Sequence, residues 1–155
     1  MSVINPSVGF SGVTYNWNAQ QSTGTLGISS QKIRVSNTTS TPAWTLSVAA
    51  TANTNLWTSG GNTYDFNDSA TNGRLNINPS GITITPQSGC NNTGLTSGSS
   101  AYFVQGTQDS INLITAGASA GTNCYWDVTG VEMTQDIPAA QAIGNYSLNL
   151  ILSVI

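Results

Sequence analysis

The 155-residue chain contains no histidine. That removes the side chain that most often acts as general base, completes serine or cysteine triads and ligates metals. A pair of carboxylates can still hydrolyse a glycosidic bond. Asp109, Asp127 and Glu132 lie on or beside stretches expected to be strands, and are the candidates. Nothing in their spacing brings two of them into one cleft, so the chain is expected to be non-catalytic.

Cys90 and Cys124 are the only cysteines. A zinc site would need four Cys or His ligands, so a disulfide is the preferred reading over two free thiols. Closing a loop of about 35 residues would stabilise the fold by about 3–4 kcal/mol in the chain-entropy model. It would also place the protein in an oxidising compartment, extracellular or at the cell surface. The run Tyr64-Asp65-Phe66-Asn67-Asp68-Ser69 gathers short oxygen-bearing side chains in a Gly-rich stretch. Asp65, Asn67 and Asp68 could ligate calcium, although Asp and Asn in turns more commonly cap their own backbone, and no other cofactor is expected. Four tryptophans offer flat apolar faces suited to sugar rings. Trp17, between Asn16 and Asn18, and Trp57 and Tyr64, in a polar stretch, are the candidate ligand contacts. Trp44 shares its strand face with Leu46 and Val48 and is expected in the core.

Three Lys or Arg and six Asp or Glu give a net charge of -3. Three cations cannot track a phosphate backbone, which excludes nucleic acid. No apolar run reaches the roughly 20 residues of a membrane-spanning helix. No basic start followed by an apolar stretch opens the chain, so any export signal is expected to have been removed. Disorder usually accompanies few aromatics and high net charge. Four Trp, five Tyr and three Phe argue for a folded domain, expected to be one unit over 1–155.

Ser, Thr, Asn and Gly dominate where a helical surface would carry Glu, Lys and Arg, and the apolar stretches are rich in Val, Ile, Thr and aromatics. The last stretch puts Tyr146, Leu148, Leu150, Leu152 and Val154 on one face. Residues 43–51 put Trp44, Leu46, Val48 and Ala50 together. Residues 31–35 point Ile33 and Val35 inward, with Lys32 and Arg34 outward and solvated. These last two are expected to form a hairpin through the loop 36–42. Further strands are expected at 12–18, 74–78, 81–85, 101–104, 110–115, 125–129 and 131–134, and residues 52–73 as an ordered excursion. The pattern predicts an all-β fold, an antiparallel two-sheet β-sandwich of roughly eight to ten strands.

The block Val35-Ser-Asn-Thr-Thr-Ser-Thr-Pro-Ala-Trp-Thr-Leu-Ser-Val-Ala-Ala-Thr51 resembles the WxL-type domains of bacterial cell-surface proteins. The closing segment from Ile137 to Leu152 also looks like the last strand of secreted bacterial β-domains. The second Trp-x-Leu of that family has Tyr146-Ser147-Leu148 in its place here. The resemblance implies a β-sandwich displayed outside the cell and, through Trp44 and Leu46, non-covalent attachment to the wall. The expected function is a surface module for attachment or envelope structure, with a cell-wall polymer, a glycan or another surface protein as partner. Two alternatives stay open. One is a carbohydrate-binding module. The other is a self-associating filament or lattice subunit that pairs Ser2-Val3-Ile4-Asn5-Pro6 or the last strand with a neighbour's sheet edge.

Overall fold

A computed structural model describes residues 2–3 and 7–155; Ile4, Asn5 and Pro6 of the N-terminal segment lie outside the described residues. Stretches in which β-branched and aromatic residues alternate with Ser, Thr and Asn form fourteen strands, and no helix occurs among the described residues. The fold is all-β and every named strand pairing is antiparallel. Strands are numbered in chain order. One sheet runs β1 (Ser2–Val3), β3 (Ile33–Asn37), β12 (Cys124–Thr129), β8 (Thr83–Pro86). A second runs β10 (Ala101–Tyr102), β7 (Arg74–Asn78), β13 (Val131–Ile137), β2 (Gln20–Leu26). A third runs β14 (Leu150–Val154), β4 (Trp44–Ala50), β11 (Ser110–Ala116), β9 (Leu95–Ser97). The short hairpin β5 (Trp57–Ser59) and β6 (Asn62–Tyr64) gives the stretch 52–73 its order. Strands and sheets are thus more numerous than the composition suggested, because long tracks are broken by corners.

The first two sheets share three chain tracks. The lateral order β2, β13, β7 in one is repeated as β3, β12, β8 in the other. Each track leaves one sheet and enters the next, and a single residue, Gly130, separates β12 from β13. At this corner the Gly130 amide donates to the Gly27 carbonyl at 2.7 Å. Gly27 has φ +78° and Gly130 φ +84°, conformations that L side chains rarely adopt. A Cβ on Gly27 would also sit 2.7 Å from the Val128 carbonyl oxygen. Gly27→Ala is therefore expected to cost about 1–3 kcal/mol of strain. That lowers the melting temperature by about 2–12 °C in a chain of this size. Gly60→Ala, with φ +59° but nothing within 4 Å of a new Cβ, is the control and should lose less. Equal losses in thermal scans would show that close approach at the corner contributes nothing.

One apolar cluster draws on all three large sheets and on the β5–β6 hairpin. Ile33 and Val35 of β3 face it, as do Trp44, Leu46 and Val48 of β4, as the alternation predicts. In β11 the register shifts between Asn112 and Ile114, and consecutive residues Leu113 and Ile114 both turn inward. β3 and β4 do not form the expected hairpin, because they belong to different sheets. The loop between them is shaped by Asn37, whose Nδ2 donates to the Thr41 carbonyl while its Oδ1 accepts from the Thr39 amide. The crossing lets Trp44 meet Trp126 of β12, with ring centroids 5.6 Å apart.

Strand β14 is an edge strand, paired only with β4 among the described residues. Tyr146, Leu148, Leu150, Leu152 and Val154 all pack against the core, as their spacing predicts, but each remains half-buried. Tyr146 and Leu148 precede the strand itself, in a segment where Ser147 bridges to Thr58. At the other end, Ser2–Val3 pairs within the chain, with Arg34 and Ile33 of β3.

Candidate functional site

Residues 12–18 were expected as a strand and instead form an exposed loop. The alternation behind the expectation is real: Val13, Tyr15 and Trp17 are spaced two apart, but they face solvent rather than the core. The loop is anchored at one end by the Ser11 amide, which donates to the Thr23 carbonyl of β2. An Asx turn follows, in which the Asn18 amide donates to Asn16 Oδ1 at 2.9 Å. Tyr15 and Trp17 meet edge to face, with centroids 5.4 Å apart and planes at 82°. Trp17 is 78% exposed, although large aromatics are ordinarily well covered.

A second loop, residues 138–145, lies against this one, held by the Ala140 amide donating to the Asn16 carbonyl at 2.8 Å. Its shape is braced from within. Tyr146 donates its hydroxyl to the Ala142 carbonyl at 2.9 Å and accepts from Gln141 Nε2 at 2.7 Å. Between the loops runs a groove with Val13, Tyr15, Asn16 and Gln20 on one side, Gln141 and Ile143 on the other, and Tyr64 and Tyr146 also in its lining. Ile143 is 83% exposed at the rim. The groove contains none of the charged residues. The Gln20 side-chain amide and Asn16 Nδ2 take no hydrogen-bond partner among the described residues. Burial, reinforced by neighbouring Tyr146, pushes the Tyr64 phenol well above its ordinary pKa, so it stays a neutral hydroxyl.

Beneath the groove an aromatic ladder joins it to the core. Phe10 meets Trp57 edge-on at 5.5 Å, Trp57 stacks on Tyr64 at 6.1 Å, and Tyr64 meets Tyr146 at 4.9 Å. Trp57, expected as an exposed contact, is buried. Its indole N–H donates to Gln135 Oε1 at 2.8 Å, a polar partner within the core that the sequence did not reveal. Tyr64 keeps one side on the groove. Trp44 and Leu46, the pair carried by the WxL resemblance, both lie in the core.

The other candidates are absorbed into structure. Asp65 Oδ1 accepts the Phe66 and Asn67 amides, Asp68 Oδ2 accepts Asn72 Nδ2, and Asn67 Nδ2 donates to the Asn53 carbonyl. This is the backbone-capping arrangement of a turn, and no group of three or more His, Cys, Asp or Glu positioned to hold a metal occurs among the described residues. Glu132 Oε2 accepts from Asn78, and Asp109 Oδ1 from the Gly106 amide. Cys90 and Cys124 form the disulfide, with Cα atoms 5.9 Å apart.

All three cations serve two buried aspartates. Arg34 lies directly across from Asp127 and grips it with Nε and Nη2 at 2.7 and 2.9 Å, while Lys32 Nζ stands 3.6 Å away. Lys32, expected to be simply solvated, is thus half-exposed but paired. Arg74 lies across from Asp136, with Nε 2.6 Å from its carboxylate, and Gln21 Nε2 donates to the same group at 2.7 Å. Each guanidinium also lies over a tyrosine ring, Arg34 on Tyr125 and Arg74 on Tyr102.

Hydrogen bonding by Arg34, then the Arg34 and Lys32 charges, hold the Asp127 carboxyl below its ordinary pKa, against the opposing effect of burial. A lowered folded-state pKa contributes stability above the unfolded value, about 3.9, that is lost as pH falls through the folded value. Wild-type stability should therefore drop on the acid side of about pH 4. In Arg34→Leu, burial becomes the leading influence and the carboxyl rises. That variant should be clearly less stable than wild type at pH 7, with the gap narrowing at pH 4. Urea midpoints at the two pH values measure this, and a gap of constant size would contradict it.

No family model, curated protein or solved structure matches the chain. Among the described residues no helix is long and apolar enough to cross a membrane.

Proposed function

We propose that this chain is a non-catalytic attachment module displayed outside a bacterial cell, and that it holds its target at the groove lined by Tyr15 and Ile143 and on the exposed Trp17 that packs against Tyr15 beside it. The observation that carries the proposal is the 78% exposure of Trp17, packed on Tyr15 in a loop that hydrogen bonds hold in place. Leaving so large an apolar side chain in water is unfavourable, and exposed apolar patches of this kind mark interaction sites. The groove is small, about 100 Å³, so a target would lie along its aromatic rim and reach its few polar groups rather than sink into it. The disulfide supports an oxidising environment, and the carboxylates are engaged in ion pairs, caps and turns rather than gathered for catalysis. The partner in this reading is a cell-wall polymer, a glycan or another surface protein.

Co-sedimentation with isolated bacterial cell envelopes tests the proposal. The wild-type chain should pellet with envelopes, and Trp17→Ala should lose at least about tenfold in apparent affinity, some 1.4 kcal/mol, while melting at the same temperature. Binding of equal strength by the variant would remove the groove from the account.

A second reading, self-association by strand pairing, draws on the side of β14 that no strand pairs with among the described residues, and on Ile151, 45% exposed there without a charged neighbour in the strand. Light scattering over a wide concentration range separates the two readings. Growing mass supports the filament, and constant mass supports the module.

A further inference from the structure

Resting on the attachment reading, we infer that the groove and the exposed Trp17 beside it take an uncharged glycan chain, with one pyranose ring against the Trp17 indole and hydroxyls bonded to the amides of Asn16, Gln20 and Gln141. The nature of the polar groups argues for a sugar. The groove offers primary amides and tyrosine hydroxyls, which both donate and accept, and no ion. Ring hydroxyls likewise donate and accept, and the axial C–H faces of a pyranose are apolar enough to lie on an aromatic ring. The Gln20 amide and Asn16 Nδ2 are without protein partners among the described residues, so a ligand hydroxyl need break no internal hydrogen bond to reach them. Trp17 and Tyr15 meet at 82° and Trp17 is 78% exposed, so aromatic surface lies open next to the groove that Tyr15 lines.

The distribution of charge argues against an anionic polymer. A phosphate- or carboxylate-bearing chain is held chiefly by Lys and Arg, and Lys32, Arg34 and Arg74 are all committed to Asp127 and Asp136. None of them lines the groove. The acidic residues left over, Asp65, Asp68, Asp109 and Glu132, would repel a polyanion approaching the surface.

The four tryptophans provide an internal probe, because Trp44, Trp57 and Trp126 are buried and Trp17 alone is open. Iodide quenching of tryptophan fluorescence therefore reports on Trp17. The probes are cellohexaose, chitohexaose and mannohexaose as neutral chains, and polygalacturonate and polyglycerol phosphate as anionic ones. At least one neutral chain should protect Trp17 from iodide, with an affinity that changes less than about twofold between low and high salt. Gln20→Ala should weaken it several-fold, and in calorimetric titration, which does not depend on the removed fluorophore, Trp17→Ala should abolish binding of the same chain. Protection by the anionic chains alone, fading with salt, would overturn the neutral-glycan inference and leave attachment standing. So would failure of every chain while Trp17→Ala still reduces envelope binding. Failure of every chain together with unchanged envelope binding by Trp17→Ala would overturn both.

Discussion

Trp126→Ala is expected to destabilise the fold by about 3–5 kcal/mol, the usual cost of emptying a large buried aromatic site. Trp126 is fully buried, packs on Trp44 across two sheets, and donates its indole N–H to the Asn91 carbonyl at 2.9 Å. Truncation would leave a cavity between the sheets and an Asn91 carbonyl without its partner. Domains are commonly stable by only about 5–15 kcal/mol, so the variant should melt about 6–20 °C lower or fail to accumulate folded. Calorimetry decides, and a loss under about 1 kcal/mol would show that the two tryptophans do not hold the sheets together.

Removing the disulfide as Cys90→Ala/Cys124→Ala should cost about 3–4 kcal/mol, mostly through the freed unfolded chain. The bridge spans 34 positions in sequence. It ties residue 90 to the first residue of β12, and so presents the Asn91 carbonyl to Trp126 two residues along that strand. The two sites are therefore coupled. In a double-mutant cycle, Trp126→Ala should cost less in the disulfide-free background than in the wild type. Strict additivity of the denaturation midpoints would show that the loop holds its place without the bridge. In the unaltered protein, thiol titration under denaturing, non-reducing conditions should find no free thiol.

The strands with a period-two apolar stripe on a buried face, such as β4, β11 and β13, were legible because burial of one face imposes that pattern. β2 was not: Gln20-Gln-Ser-Thr-Gly-Thr-Leu26 carries one large apolar residue, and its place is set by seven register pairs with β13 rather than by its own side chains. The corner at Gly27 and Gly130 was equally hidden, since a glycine in a strand pattern does not say whether the chain bulges, turns or passes into another sheet. The groove was half legible. Tyr64 in its lining and Trp17 beside it stood out by type, whereas Val13, Tyr15 and Ile143 came together only through the backbone contact between residues 16 and 140. The same alternation that marks a core strand served here for an exposed shelf, and sequence periodicity is blind to which side is wet. Lys32 and Arg34 were placed outward correctly. Their partner, Asp127, was hidden because cross-strand neighbours 93 positions apart leave no local signal.

In the proposed function the binding surface is the groove that Tyr15 lines together with the adjoining Trp17, and not a sheet edge. Titrating a soluble cell-wall polysaccharide fraction into isotopically labelled protein, while following the four tryptophan indole N–H resonances and the β14 amides by NMR, tests it most directly. The Trp17 indole signal should shift, with the Trp44, Trp57 and Trp126 signals and the amides of residues 150–154 unmoved. A stationary Trp17 signal, with β14 amides that shift and broaden as protein concentration rises, would contradict the account and favour strand-edge assembly.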